Sequence, residues 1–109
     1  MLIAQRILQW RGTHGRKIIR VQIFSPERTK AAWTCRYVID WPDGEREKTA
    51  SGVDAVQALI IAMQMIGSEI YTSNYQKTGG IGFLNADGCG FPVPPTLRHL
   101  LTQDDAKYL

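Results

Sequence analysis

The chain has 109 residues, which is enough for one domain built around one hydrophobic core. Hydrophobic residues make up 44% of the chain and charged residues 21%, a balance that excludes an intrinsically disordered protein. The formal net charge of +3 permits an acidic or nucleic-acid partner without requiring one. We therefore expect a single domain over residues 1–109, with a polar tail at 103–109.

Signals for export and for membrane insertion are missing from the sequence pattern. The N-terminal run M-L-I-A-Q-R-I-L-Q-W lacks the apolar core and cleavage site of a signal peptide. No window approaches the roughly 20 apolar residues that span a bilayer. The two cysteines, Cys35 and Cys89, are too sparse for a disulfide framework and fit a reducing compartment. These observations predict a cytoplasmic protein without a membrane partner.

The first half of the chain shows the period-two alternation that is typical of β-strands. It predicts a strand from Leu2 to Trp10, a hairpin loop R-G-T-H-G, and a second strand from Lys17 to Phe24. A polar loop at 27–31 precedes a third strand, Trp33 to Trp41. After the turn P-D-G, the charged segment Glu45 to Ala50 suits a fourth strand at an exposed edge.

The stretch from Ser51 to Tyr75 predicts one long helix, because its apolar run is too long for a strand. Ser51 is expected to cap the N-terminus, with Asp54 reaching back as in a capping box. The helix should end before Gly79 and Gly80, after fraying from Thr72 onward. The predicted buried stripe consists of Val56, Ile60, Met63, Gly67 and Ile70, widened by Leu59 and Ile66.

The last third of the chain is rich in turn signals. We predict a short fifth strand at Gly80 to Leu84, a turn at Asn85 to Gly90, and an extended segment with three prolines at Phe91 to Pro95. Thr96 is expected to cap a short helix from Leu97 to Leu101. The order is ββββαβ(α), and short connections favour antiparallel neighbours. The sequence therefore predicts an α+β fold, with an antiparallel four- to five-stranded sheet packed on one long α-helix.

Three segments carry a family resemblance. They are W-x-C-R-Y-x-I-D-W-P-D-G at Trp33–Gly44, G-V-D-A-V-Q-A-L at Gly52–Leu59 and G-x-G-F-P at Gly88–Pro92. Together they resemble a family of small bacterial proteins of unknown function, and the resemblance runs from the first hairpin to the prolines. It implies a stand-alone bacterial protein of about this size, and it offers no catalytic residues to transfer.

Cys89 is the candidate nucleophile for a small Cys-dependent hydrolase or transferase, because its flanking glycines would leave the thiol accessible. His14 or His99 would have to come close to it through the fold. The alternative is that Cys89 is a small turn residue. Cys35, Cys89, His14 and His99 also have the atom types that bind zinc, but no two have the spacing that zinc sites use. We therefore expect no catalytic residue, no metal and no cofactor.

The densest basic patch lies on the first hairpin, beside Trp10. Phosphate contacts and base stacking at this patch would make the chain a nucleic-acid-binding accessory protein. The alternative is a solvated loop and strand face, and the small net charge gives little backbone attraction. The patch consists of Arg11, His14, Arg16, Lys17 and Arg20.

Aromatic residues are the remaining candidates, either as core or as interface anchors. Since no catalytic constellation is apparent, the sequence favours a non-enzymatic interaction protein that binds another protein or itself. An immunity or antitoxin-like protein is one concrete version, by analogy with other small single-domain proteins. The candidate interaction residues are Arg11, His14, Arg16, Trp41, Tyr71 and Tyr75.

Overall fold

The described residues of the chain, 1–12 and 15–109 of a computed structural model, form seven β-strands, three α-helices and one 3-10 helix. The strands are β1 (Leu2–Gly12), β2 (Gly15–Phe24), β3 (Glu27–Arg28), β4 (Trp33–Trp41), β5 (Gly44–Gly52), β6 (Ile81–Phe83) and β7 (Ala86–Asp87). The helices are α1 (Ala55–Tyr71), α2 (Asn74–Lys77), the 3-10 helix (Pro95–Leu100) and α3 (Gln103–Ala106).

All seven of these strands join one antiparallel sheet. β4 pairs with β5 along its whole length, so β2 and β3 share the other edge of β4. β2 then pairs with β1, β1 with β6, and β6 with β7. The predicted antiparallel sheet is confirmed, but its predicted strand count is too low. The missed strands, β3 and β7, have two residues each, which is too short to show an alternation in sequence.

The helix α1 packs on β4 and β5 and is capped differently from the prediction. Asp54 is the N-cap residue, since its Oδ1 accepts a hydrogen bond of 2.8 Å from the Gln57 backbone N–H. Ser51 still belongs to β5, where it lies opposite Thr34. The strand therefore continues through the predicted cap, and the helix starts three residues later. Among the described residues, no helix is long and apolar enough to cross a membrane.

The buried face of α1 differs in part from the predicted stripe. Gly67, Ile70 and Ile66 are buried as expected, whereas Val56 is 65% exposed and Ile60 49% exposed. Small side chains on the sheet-facing side let the helix approach the strands closely, and the larger hydrophobics at its N-terminal end turn outward. The fully or nearly buried helix residues are Ala58, Ala62, Ile66, Gly67, Ile70 and Tyr71.

The C-terminal segment completes the core. Cys89, Phe91 and Val93 are buried. The backbone from Phe91 to Pro94 forms neither helix nor strand, in line with the segment predicted around the prolines. The predicted short helix is a 3-10 helix instead, which begins at Pro95 because proline at the first position favours a helix start. The predicted polar tail contains α3, whose Asp105 is buried. The Gly90 N–H donates a hydrogen bond to Asp105 Oδ1, and this contact holds α3 against the turn at Gly88–Gly90.

Candidate functional site

Two of the predicted interaction residues, Trp41 and Tyr75, meet at one end of the sheet. Their rings stack with centroids 5.2 Å apart and planes 12° apart, and the Trp10 ring meets Tyr75 edge-on at 5.1 Å. The Tyr75 hydroxyl donates a hydrogen bond of 2.9 Å to Asp43 Oδ1. Burial, followed by this hydrogen bond, raises the pKa of Tyr75, so the hydroxyl remains a donor.

These rings border a polar cleft of about 400 Å³, which we call the aromatic cleft. Its polar groups are largely bonded to one another: Arg46 lies 3.3 Å from Asp43, and Ser73 Oγ donates to the Ile70 carbonyl. Trp41 itself is buried. Within the described residues the buried Trp41 Nε1–H has no hydrogen-bond partner, but the stacked rings act mainly as core. Its lining residues are Trp41, Asp43, Arg46, Glu69, Thr72, Ser73, Asn74 and Tyr75.

Glu69 is held at the border of this cleft by two partners. The Tyr37 hydroxyl donates to Glu69 Oε2, and Lys48 Nζ lies 2.7 Å from Oε1. Burial is the main reason that the pKa of Tyr37 is raised, and the hydrogen bond to Glu69 adds to it. Glu69 therefore joins α1 to β4 and β5, and both of its oxygens are occupied.

The other predicted interaction residues do not join Trp41 and Tyr75. Tyr71 is buried, and its hydroxyl accepts a hydrogen bond of 3.1 Å from the Cys89 backbone N–H, so it is a core residue. Arg11 forms an ion pair of 3.1 Å with Asp87. Arg16 is exposed and lies opposite Arg11 in the β1–β2 hairpin. His14 lies outside the described residues.

The basic patch on the first hairpin is divided by the strand alternation. Arg11 and Arg16 form a cross-strand pair, and Arg20 lies opposite Asp40 of β4 on the same face. Lys17 is the cross-strand neighbour of Trp10 and therefore points to the other face. Carboxylates thus lie beside two of the three arginines, which weakens the patch as a phosphate-binding surface.

The expectation that Cys89 has an accessible thiol is wrong. Cys89 is 0% exposed, and burial raises the pKa of its thiol to about 11. Gly88 and Gly90 have positive φ angles, and the resulting turn directs the chain inward instead of leaving the cysteine at the surface. Cys35 is also buried and donates to the Phe24 carbonyl at 3.3 Å, as expected for a packed core thiol.

Metal-ligating residues do not gather in the part of the chain that the structure describes. No group of three or more histidine, cysteine or acidic residues in 1–12 and 15–109 has the arrangement that holds a metal ion. His99 is exposed on the 3-10 helix, whereas both thiols lie inside the core. Neither a thiol–imidazole pair nor a zinc site is therefore formed by His99 and the two cysteines.

A surface that the sequence prediction missed lies between β1 and the N-terminal half of α1. We call this groove of about 210 Å³ the β1 groove. Its walls come from one strand and one helix, and its floor comes from the buried side of β2, so most of its lining is apolar. The lining residues are Ile3, Ala4, Gln5, Arg6, Val21, Ile23, Leu59, Met63 and Phe91.

The strand that borders this groove has one unpaired edge. β1 pairs with β2 from Leu2 to Gly12, but β6 pairs with β1 only at Gln9 and Trp10. Within the described ranges, no strand lies against the outer edge of β1 from Leu2 to Ile7. Alternate residues of this segment therefore direct their backbone N–H and C=O groups outward, as in any antiparallel edge strand. We call Leu2–Ile7 the open edge.

Apolar side chains are exposed around the open edge. Ile3 is 46% exposed and lines the β1 groove, and Val56 and Ile60 of α1 are exposed on the same, helix side of the sheet. Ile7 is 36% exposed but lies opposite Arg20 and points to the other face. The one charged side chain on the open edge is turned away. Arg6 Nη1 donates to the Cys89 carbonyl at 3.0 Å, and its guanidinium lies over the rings of Phe83 and Phe91.

Comparison with known families identifies the family of this chain. The model of a domain of unknown function, DUF6968, matches residues 4–93. The chain belongs to the DUF6968 family. Neither a curated protein nor a solved structure matches it. The resemblance to a family of unknown function is thus confirmed, and the matched part of the DUF6968 domain contains α1 and most of the β1 groove.

Proposed function

We propose that this DUF6968 domain is a non-enzymatic interaction domain, which binds another protein chain at the open edge and the β1 groove. The observation that carries the proposal is the combination of an unpaired strand edge with exposed Ile3, Val56 and Ile60 on the helix side of the sheet. Contiguous exposed apolar surface commonly marks an interaction site. Natural sheets usually protect their edges with charge, proline or covering segments, and among residues 1–12 and 15–109 no strand pairs with the outer side of the open edge, whose one charge is Arg6.

The geometry suits binding by strand addition. An extended segment that lies beside β1 would hydrogen-bond to the outward N–H and C=O groups of the open edge. Alternate side chains of that segment would point toward the helix side and enter the β1 groove, where Leu59 and Met63 form one wall. Backbone hydrogen bonds would then supply affinity, and the apolar groove would select for apolar side chains.

Two other functions find less support in the geometry. A Cys-dependent enzyme needs a reachable thiolate, and Cys89 is buried with a raised pKa. A nucleic-acid-binding role needs a strong basic surface, and Arg11 is already paired with Asp87. An immunity or antitoxin-like role remains a version of the proposed function, with a toxin as the bound chain.

Site-specific photocrosslinking in cells tests this proposal. Ile60 is an exposed residue of α1 between the groove-lining Leu59 and Met63, and it is replaced by the photoreactive residue p-benzoylphenylalanine. Ile18 provides a matched control. Ile18 is also an exposed isoleucine, 63% exposed, but it lies on the opposite face of the sheet. We expect a protein adduct from the Ile60 position and little from the Ile18 position. An Ile60 variant that folds and gives no adduct would contradict the proposed function.

A further inference from the structure

We propose that the bound chain is a second copy of this protein, with β1 of each copy pairing antiparallel about a two-fold axis at Gln5. This inference rests on the proposed function, because it names the partner of the same surface. Two identical edges that pair in this way satisfy each other's outward backbone groups and extend the sheet from one copy into the next. The proposal is argued from the sequence of the open edge and from where its one charge lies.

The sequence of β1 is nearly symmetric about Gln5. It reads L-I-A-Q-R-I-L from Leu2 to Leu8, so the residues at equal distances before and after Gln5 are Leu and Leu, Ile and Ile, and Ala and Arg. Antiparallel pairing centred on Gln5 places Ile3 opposite the partner's Ile7, and each such apolar pair forms twice. The two Gln5 side chains face each other and can exchange a hydrogen bond. Cross-strand pairs of these kinds stabilise a sheet.

The charge distribution favours a copy of the same chain on this edge. Arg6 is the only ionisable side chain between Leu2 and Leu8, and its guanidinium is bonded inward to the Cys89 carbonyl. Two copies therefore meet without like charges facing each other across the new strand pair. The residue opposite Arg6 is Ala4 of the other copy, whose small side chain leaves space for the arginine stem.

The local structure sets the length of the pairing. A β-bulge at Ile3 interrupts the register with β2, and the strand is regular from Ala4 onward. At the other end, β6 occupies the outer side of β1 at Gln9. The regular pairing therefore spans Ala4 to Arg6, and the Ile3–Ile7 contacts lie at its two ends. Exposed Val56 and Ile60 on the same side of the sheet as the β1 groove add apolar surface next to this short strand pair.

The first test compares molar masses in solution. We expect the purified protein to sediment at twice its monomer mass of 12.3 kDa at high concentration and to dissociate on dilution. Ile7→Lys places a charge on each side of the new strand pair, so it should yield a monomer over the same concentrations. Ile18→Lys introduces the same charge on β2, away from the open edge, and should remain a dimer. Circular dichroism establishes that both variants are folded.

The second test fixes the register without destabilising the edge. Gln5→Cys places two thiols opposite each other at the two-fold axis, where Cα atoms about 4.5–5.5 Å apart allow a disulfide. Mild oxidation should then link most of the protein into a covalent dimer. Gln22→Cys is the matched control, since Gln22 lies beside Gln5 on β2 but one strand farther from the partner. It should stay largely monomeric under denaturing, non-reducing conditions.

The outcomes separate this inference from the proposed function. A wild-type protein that remains monomeric at every concentration overturns the self-pairing. So does a dimer that Ile7→Lys leaves intact, or one that the Gln5→Cys variant does not link. If the Ile60 crosslink in cells yields a different protein, the self-pairing is overturned while the proposed function stands. If the Ile60 position yields no adduct and the protein is monomeric, both fail.

Discussion

Gly67 of α1 lies directly beneath the Pro92 carbonyl, and a Cβ atom on this glycine would come 2.0 Å from that oxygen. The contact shows how the chain covers its own helix. The extended segment around Pro92 packs over the C-terminal half of α1, where Gly67, Ile70 and Tyr71 are buried. No such cover reaches Val56 and Ile60, which are exposed. The N-terminal half of α1 is therefore exposed because the C-terminal segment runs over the other half of the helix.

The Gly67–Pro92 contact predicts the sign of a substitution. In an ordinary helix position, Gly→Ala stabilises by about 0.5–1 kcal/mol. Gly67→Ala should instead lower the free energy of unfolding by about 1–3 kcal/mol, because the methyl group overpacks a backbone carbonyl. Denaturant unfolding measures the difference, and Gln64→Ala on the same helix serves as the control. Equal or higher stability of Gly67→Ala would contradict the observed packing.

The buried thiols predict slow chemical modification. Cys35 and Cys89 are both 0% exposed, and burial raises the pKa of each. Ellman's reagent should therefore modify neither thiol readily in the folded protein and should modify both in guanidinium. Ser51→Cys, at an exposed position, supplies a fast-reacting reference. Rapid native-state reaction of Cys89 would revive the Cys-dependent enzyme hypothesis.

The hydrogen bond from Tyr37 to Glu69 predicts a measurable loss of stability. Tyr37→Phe removes the donor and leaves Glu69 Oε2 without it, in a side chain that is only 21% exposed. A hydrogen bond to a charged group at such a site contributes about 1.5–3 kcal/mol. Tyr75→Phe is the control, because its acceptor Asp43 is 56% exposed, and it should cost less. Urea unfolding of the two variants should rank them in that order, and the reverse order would count against this role of Glu69.

Asp105 predicts a pH dependence of stability. Burial raises the pKa of this carboxyl above its ordinary 3.8, although the Gly90 N–H and Arg6 act in the opposite direction. The folded protein therefore holds the proton more tightly than the unfolded chain. This difference in pKa adds to the free energy of unfolding below pH 3.8, and the contribution is lost as the pH rises through the raised pKa of Asp105 in the folded protein.

Asp105→Asn removes this titration and keeps an oxygen acceptor for the Gly90 N–H. Between about pH 4 and about pH 7, the free energy of unfolding should fall less in the variant than in the wild type. Unfolding at a series of pH values measures the two slopes. Parallel curves would show that Asp105 has the same pKa in the folded and unfolded states.

Local patterns were sufficient to predict much of the fold. Strict alternation located β4, and the turn P-D-G marked its connection to β5. The apolar run after Ser51 located α1, but the preference for large side chains chose the wrong face at Val56 and Ile60. Alanines at positions 58 and 62 form the close contact with the sheet, and their small size gives a weak signal in sequence.

The candidate site was harder to predict because it depends on non-local pairing. The segment Leu2–Ile7 was correctly predicted as a strand, yet its open edge exists only because β6 pairs with β1 as far as Gln9. Trp41 and Tyr75 were chosen by residue type, and the structure shows them stacked together. Tyr71 was chosen on the same grounds and lies in the core.

Amide hydrogen exchange along β1, measured as a function of protein concentration, tests the central claim most directly. Amides that point outward between Ile3 and Ile7 should exchange quickly in dilute protein and become protected as the concentration rises, because a second β1 then accepts their hydrogen bonds. The amides of β2, which are paired within the chain, should show no such change. Fast exchange between Ile3 and Ile7 at every concentration would contradict the pairing of two copies through this edge.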